Sequence, residues 1–129
     1  MRKALVVDDV QGWCFLHSSV LKEIYGDEIK VDTALSAKEG YQKLLENNNE
    51  PYDIVFTDLQ MESDFDPKEA GEWLVEQIQM LKDYYKAKIV IISASPKIRM
   101  IAKNYNVDCI PKAVARTTIA AYKEVLNVI

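Results

Sequence analysis

The sequence predicts an α/β fold, a doubly wound five-stranded parallel sheet, and three observations predict it. Short apolar runs alternate with segments of helical periodicity five times along the chain. The runs are apolar at consecutive positions, as in Ala4-Leu5-Val6-Val7 and Ile89-Val90-Ile91-Ile92, the pattern of strands buried on both faces. No repeat, linker or low-complexity segment interrupts the alternation, so residues 1–129 are expected to form a single domain. Such alternation requires right-handed crossovers that lay helices on both faces of the sheet.

The elements follow in order. The first strand is expected over Lys3–Val7. From about Val10 to Tyr25, Trp13, Val20, Leu21 and Ile24 recur at helical spacing, and Gly26 stops the helix. Ile29–Ala34 reads as the second strand. Ser36 with Glu39 three residues later is a capping-box signature, opening a helix through Tyr41, Leu44 and Leu45 that Asn47-Asn48-Asn49 ends. Tyr52–Thr57 reads as the third strand.

Beyond a polar loop, Asp66-Pro67-Lys68-Glu69 supplies an N-cap, a proline at the first helical position and an acidic third residue. The helix it opens carries Ala70, Trp73, Leu74, Ile78 and Leu81 on one stripe. Lys88–Ile92 is the fourth strand, and Pro96 begins a short helix through Tyr105. Val107–Ile110 is the fifth strand. A last helix is expected from Val114 to about Val128, with Val114, Ile119, Tyr122, Val125 and Leu126 on its apolar face.

The composition is that of a globular domain, with 49% hydrophobic and 28% charged residues, so a real core can form. A formal net charge of −4 and scattered basic residues argue against nucleic-acid binding through this domain. No apolar stretch reaches about 18 residues, and no apolar leader precedes the first strand, so a cytoplasmic protein with no membrane association is expected. The two cysteines, Cys14 and Cys109, lack CxxC spacing and are expected as reduced, partly buried thiols. His17, the single histidine, is expected on or beside the apolar stripe of its helix.

The residues that follow the strands carry the chemistry. Asp8-Asp9 ends the first strand and Asp58 ends the third. If these strands are neighbours, their carboxylates form a dense negative site, which a hard divalent cation such as Mg²⁺ would neutralise. Ser93 follows the fourth strand and Lys112 the fifth, while the second strand contributes nothing comparable, as suits an edge strand. In open parallel sheets ligands sit at this carboxyl end.

This set resembles the active site of response-regulator receiver domains, the phosphoacceptors of two-component signalling, and in particular the chemotaxis-regulator-like type. The resemblance runs through LVVDD at the first strand, DIVFTDLQM at the third, IVIISAS at the fourth and DCIPK at the fifth, covering essentially the whole chain. It implies a flavodoxin-like sheet of strand order 2-1-3-4-5. It implies that Asp58 is the phosphoacceptor nucleophile, that Asp9 binds Mg²⁺ directly with Asp8 assisting through a coordinated water, and that Asp58 and the Gln60 carbonyl complete the protein ligands. Lys112 would pair with Asp58 at rest and with phosphoryl oxygens afterwards, and Ser93 would donate its hydroxyl to another. The phosphoryl group would come from a sensor histidine kinase or a histidine phosphotransfer protein. A downstream protein effector would read the state of a monomer or a phosphorylation-linked dimer. No turnover enzyme is expected, because Gln60 stands where aspartyl phosphatases place a second aspartate. With Gln60 and Ser95 two residues past Asp58 and Ser93, slow-to-moderate self-hydrolysis is expected. A non-phosphorylated interaction module with this fold is the alternative.

Three departures from the family stand out. Lys112 is followed by Ala113, where the family has proline and a cis bond. A non-proline cis bond costs about 3 kcal/mol, so a trans or strained bond is expected here. Cys109 occupies a position where receivers carry Tyr or Phe. The loop Glu62–Ala70, acidic at Glu62, Asp64 and Asp66, runs longer than usual beside the pocket.

Overall fold

The computed structural model describes residues 1–61 and 69–129. Within them five strands, β1 (Arg2–Val7), β2 (Ile29–Ala34), β3 (Ile54–Thr57), β4 (Lys88–Ser93) and β5 (Asp108–Pro111), form one parallel sheet in the order β2-β1-β3-β4-β5. The helices of the described residues are α1 (Gln11–Tyr25), α2 (Ala37–Glu46), α3 (Ala70–Met80), α4 (Ile98–Tyr105), α5 (Lys112–Ala115) and α6 (Ala120–Val125). None of them is long and apolar enough to cross a membrane.

Successive strand residues point to opposite faces, so the sheet serves two cores. Ala4 and Val6 of β1, with Phe56, Val90 and Ile110, pack against Leu21 of α1 and Tyr122 of α6. Leu5 and Val7, with Val55, Ile89 and Ile91, pack against Leu44 of α2, Leu74 and Ile78 of α3 and Ile101 of α4. Both faces of β1, β3 and β4 are therefore covered, which is why their apolar residues run consecutively. Leu5, Leu21, Leu44 and Leu74 are wholly buried, each contributing about 2 kcal/mol of transfer free energy relative to an exposed position.

Local signals hold where they are strongest. Gly26 ends α1 with φ of 63°, a conformation that glycine adopts without strain. Ser36 Oγ accepts from the N–H of Glu39 at 3.0 Å, and Glu39 Oε1 accepts from the N–H of Leu35 at 2.8 Å. The reciprocal bond of the predicted capping box thus reaches one residue ahead of the cap.

Several boundaries differ from the sequence expectation. The ladder of β3 starts at Ile54 rather than Tyr52: Tyr52 is buried with its hydroxyl donating to Asp32 Oδ2 at 2.6 Å, and Asp53 accepts the N–H of Lys3 on its side chain at 2.9 Å. Pro96 and Lys97 form a turn, and α4 begins at Ile98. The single last helix expected over Val114–Val128 is instead two helices. Thr117 donates its hydroxyl back to the carbonyl of Val114 at 3.0 Å, and Thr118 Oγ1 accepts from the N–H of Ala120 at 3.0 Å. These local bonds compete with the helical ladder and open it between Ala115 and Ala120. The cap expected at Asp66-Pro67 and most of the Glu62–Ala70 loop lie outside the described residues, while Glu69 occupies the N-cap position of α3.

Candidate functional site

Parallel register builds the site. Val7 pairs with Thr57, so Asp8 and Asp58 leave neighbouring strands side by side. Their amides stay in the ladder: Asp58 N–H donates to the carbonyl of Val7 at 3.0 Å, and Asp8 N–H to that of Ala34 at 3.1 Å. Ser93 is the last residue of β4, and Lys112 follows Pro111 at the end of β5 as the first residue of α5. The Lys112–Ala113 bond is trans, as are the other peptide bonds of the described residues.

The carboxylates of Asp8, Asp9 and Asp58 each offer an oxygen within 4.8 Å of the others. Asp58 is buried, and its two oxygens are held differently. Oδ1 accepts from the N–H of Leu59 at 2.7 Å and weakly from that of Gln60 at 3.4 Å, while Oδ2 accepts from Lys112 Nζ at 2.9 Å. Lys112 Nζ also lies 2.9 Å from Asp8 Oδ2. Burial disfavours the Lys112 charge, but the two carboxylates outweigh it and hold the lysine above its ordinary value. Asp8 is fully buried, and that burial, with repulsion from Asp58, raises its carboxyl above the usual range despite the bond from Val10 N–H and the Lys112 charge.

Lys112 is shared between Asp8 and Asp58. Asp8 Oδ2 is buried and receives no aligned hydrogen bond, so its ion pair with Lys112 leaves it incompletely satisfied. An all-oxygen donor set of three converging carboxylates with an incompletely satisfied buried oxygen is what a hard divalent cation takes. The residues fit Mg²⁺.

Of the remaining expected residues, Ser93 is wholly buried and its Oγ accepts from the N–H of Ser95 at 3.1 Å, at the same sheet end as Asp58. Gln60 is exposed directly beyond the site. The expected cysteine and histidine positions hold. Both thiols are free, and burial raises each, Cys14 to about 11. His17 is buried with Nδ1 2.8 Å from the Tyr122 hydroxyl, and burial, then the Lys112 charge, lowers its imidazole to about 4.

Two residues beside the site make contacts that sequence reading did not give. The sequence places Trp13 one helical turn beyond Asp9, but not its contacts: Lys112 Nζ lies 4.8 Å from its ring centroid and the Arg116 guanidinium 5.7 Å. Gly71, in the first turn of α3, packs so closely on the Asp58 peptide that a β-carbon would meet its carbonyl oxygen at 1.8 Å. A groove of about 620 Å³, lined by Met80, Tyr85, Lys88 and Asp108 among others, lies at the opposite end of β4 and β5 and has no part in this site.

No family model and no curated protein matches the sequence. Solved structures do match. A response regulator receiver domain protein from Clostridium thermocellum is 25% identical with a TM-score of 0.72, covering 98% of this chain and 95% of its own. The chemotaxis response regulator CheY4 of Vibrio cholerae is 22% identical with a TM-score of 0.74, covering 97% and 98%. A CheY-like receiver domain from Methylobacillus flagellatus is 23% identical with a TM-score of 0.73, covering 98% and 97%. With its sheet order and its strand-end acidic cluster, the chain has the fold of the CheY-like response-regulator receiver domains over nearly its whole length.

Proposed function

We propose that this chain is a phosphoacceptor receiver domain whose nucleophile is Asp58. The observation that carries the reading is the convergence of Asp8, Asp9 and Asp58 on one point, with Lys112 bonded to Asp58 and paired with Asp8. A carboxylate oxygen of Asp58 forms the new bond to phosphorus as the donor's phosphorus–nitrogen bond breaks. The bonding pair stays with the leaving imidazole, which takes a proton. With acetyl phosphate the phosphorus–oxygen bond breaks instead and acetate leaves. The product is an acyl phosphate.

Phosphoryl transfer demands positioning and charge neutralisation more than covalent chemistry. Asp9 would hold Mg²⁺ directly with Asp8 assisting through water, and Asp58 and the carbonyl of Gln60 would complete the protein ligands. When bound, the ion neutralises charge on the phosphoryl oxygens. Lys112 passes from Asp58 to a phosphoryl oxygen, and Ser93 turns its hydroxyl toward another. The donor is a histidine kinase or phosphotransfer protein docking beside the pocket, and a protein effector reads the result. Phosphorylation shifts an existing equilibrium between two conformations.

The test is incubation with acetyl phosphate followed by intact mass. One phosphoryl group per chain is expected with Mg²⁺ and none with EDTA. With Gln60 and Ser95 flanking the site and neither a strong base, the label persists for minutes. Loss within seconds contradicts that lifetime, and no uptake favours a constitutive interaction module.

A further inference from the structure

We infer that Trp13 is the positioning residue that holds Lys112 in the gap between Asp8 and Asp58, an inference that rests on the phosphoacceptor reading. Lys112 is the first residue of α5, a helix of four residues, Lys112–Ala115, that ends where Thr117 turns its hydroxyl back on Val114. So short a helix supplies little rigidity of its own. Its Lys112 ammonium must nonetheless be held within 2.9 Å of two carboxylates.

The indole of Trp13 supplies the missing constraint. Lys112 Nζ lies 4.8 Å from its centroid, and Arg116, four residues on, reaches the same ring with its guanidinium at 5.7 Å. Residues four apart share a helix face, so one indole meets both Lys112, which opens α5, and Arg116, its C-cap. The ring packs on the buried His17 imidazole, 5.5 Å between centroids, which in turn lies 5.8 Å from the rings of Phe56 and Tyr122. A cation over an indole face is attracted by the ring quadrupole, more so where water is excluded. The Lys112 side chain is 10% exposed, which meets that condition. When a phosphoryl group draws Lys112 away from Asp58, the indole and Arg116 must readjust, so the exposed end of α5 senses the site.

The experiment compares Trp13→Leu and Trp13→Phe with wild type, each checked for folding by circular dichroism. The rate of labelling by acetyl phosphate at saturating Mg²⁺ is expected to fall about fivefold in Trp13→Leu. Trp13→Phe, which keeps an aromatic face, is expected to recover most of that loss, whereas Mg²⁺ affinity stays unchanged in both. A folded Trp13→Leu protein that labels at the wild-type rate overturns the inference. A second arm needs no phosphorylation. In a Trp73→Phe background, where Trp13 is the remaining tryptophan, Lys112→Met is expected to shift the Trp13 emission. No shift overturns the inference. If the Trp73→Phe parent and the wild type both refuse the phosphoryl group while Lys112→Met still moves the emission, the phosphoacceptor reading falls and the Trp13–Lys112 contact stands.

Discussion

Gly71 presses against the peptide of Asp58, so that a β-carbon added to Gly71 would stand 1.8 Å from the Asp58 carbonyl oxygen and 2.7 Å from the Leu59 Cα. The same approach places the Gly71 N–H 3.0 Å from the carbonyl of Leu59. The first turn of α3 therefore sets the backbone from which the central carboxylate projects. The contact is with main chain, which cannot swing aside as a flexible side chain would. Gly71→Ala is expected to cost about 3 kcal/mol or more in urea unfolding. Gly12→Ala, inside α1 with nothing within 4 Å of the new atom, is expected to be neutral or stabilising by up to about 1 kcal/mol. Equal unfolding midpoints for the two variants would contradict the packing.

His17 makes stability depend on pH. Burial, then the charge of Lys112, lowers its imidazole from 6.5 to about 4. Between these values the unfolded chain binds a proton that the folded chain refuses, so this contribution is complete above pH 6.5 and is lost as pH falls toward 4. The loss is at most about 3 kcal/mol. Asp8, raised by burial, acts with the opposite sign, since acidification relieves its buried charge. The quantity to measure is therefore the difference between wild type and His17→Phe from pH 7 to pH 4. It should shrink steadily on acidification. A constant difference contradicts a neutral, buried His17.

Cation binding should stabilise the fold. Mg²⁺ at ten times its dissociation constant adds about 1.4 kcal/mol by mass action. An ion held among Asp8, Asp9 and Asp58 would offset their repulsion, so Asp9→Asn should lose most of this increment. Urea titrations of both proteins with Mg²⁺ or EDTA decide it. An equal increment in wild type and Asp9→Asn would place the ion elsewhere.

The cysteines should be sluggish toward iodoacetamide at neutral pH. Burial raises both thiols, Cys14 to about 11, and the Cys14 Sγ also lies 3.3 Å from the carbonyl of Asp8. Since the thiolate is the reactive form, both should react more slowly than a free cysteine, and Cys14 more slowly than the half-buried Cys109. Rapid alkylation of Cys109 would contradict the burial that raises its thiol.

The meeting of Asp8, Asp9, Asp58 and Lys112 was legible because parallel strands align their carboxyl ends, so position along the chain translates into position in space. The central strands β1, β3 and β4 were legible for a related reason: burial on both faces leaves consecutive apolar residues such as Leu5-Val6. The break in the last helix was not, because Thr117 and Thr118 fit a helical pattern until their hydroxyls turn to the backbone. Trp13 and Gly71 were hidden differently. Each acts through a contact with a segment distant in sequence, Trp13 on α5 and Gly71 on the Asp58 peptide, which no periodicity records.

Reduction with borohydride after incubation with acetyl phosphate and Mg²⁺ tests the central claim most directly, because it converts an aspartyl acyl phosphate to homoserine at the labelled position. Peptide mass mapping is predicted to place homoserine at Asp58 in wild type, with none in Asp58→Asn. Homoserine at Asp8 or Asp9, or uptake that persists in Asp58→Asn, would contradict the account.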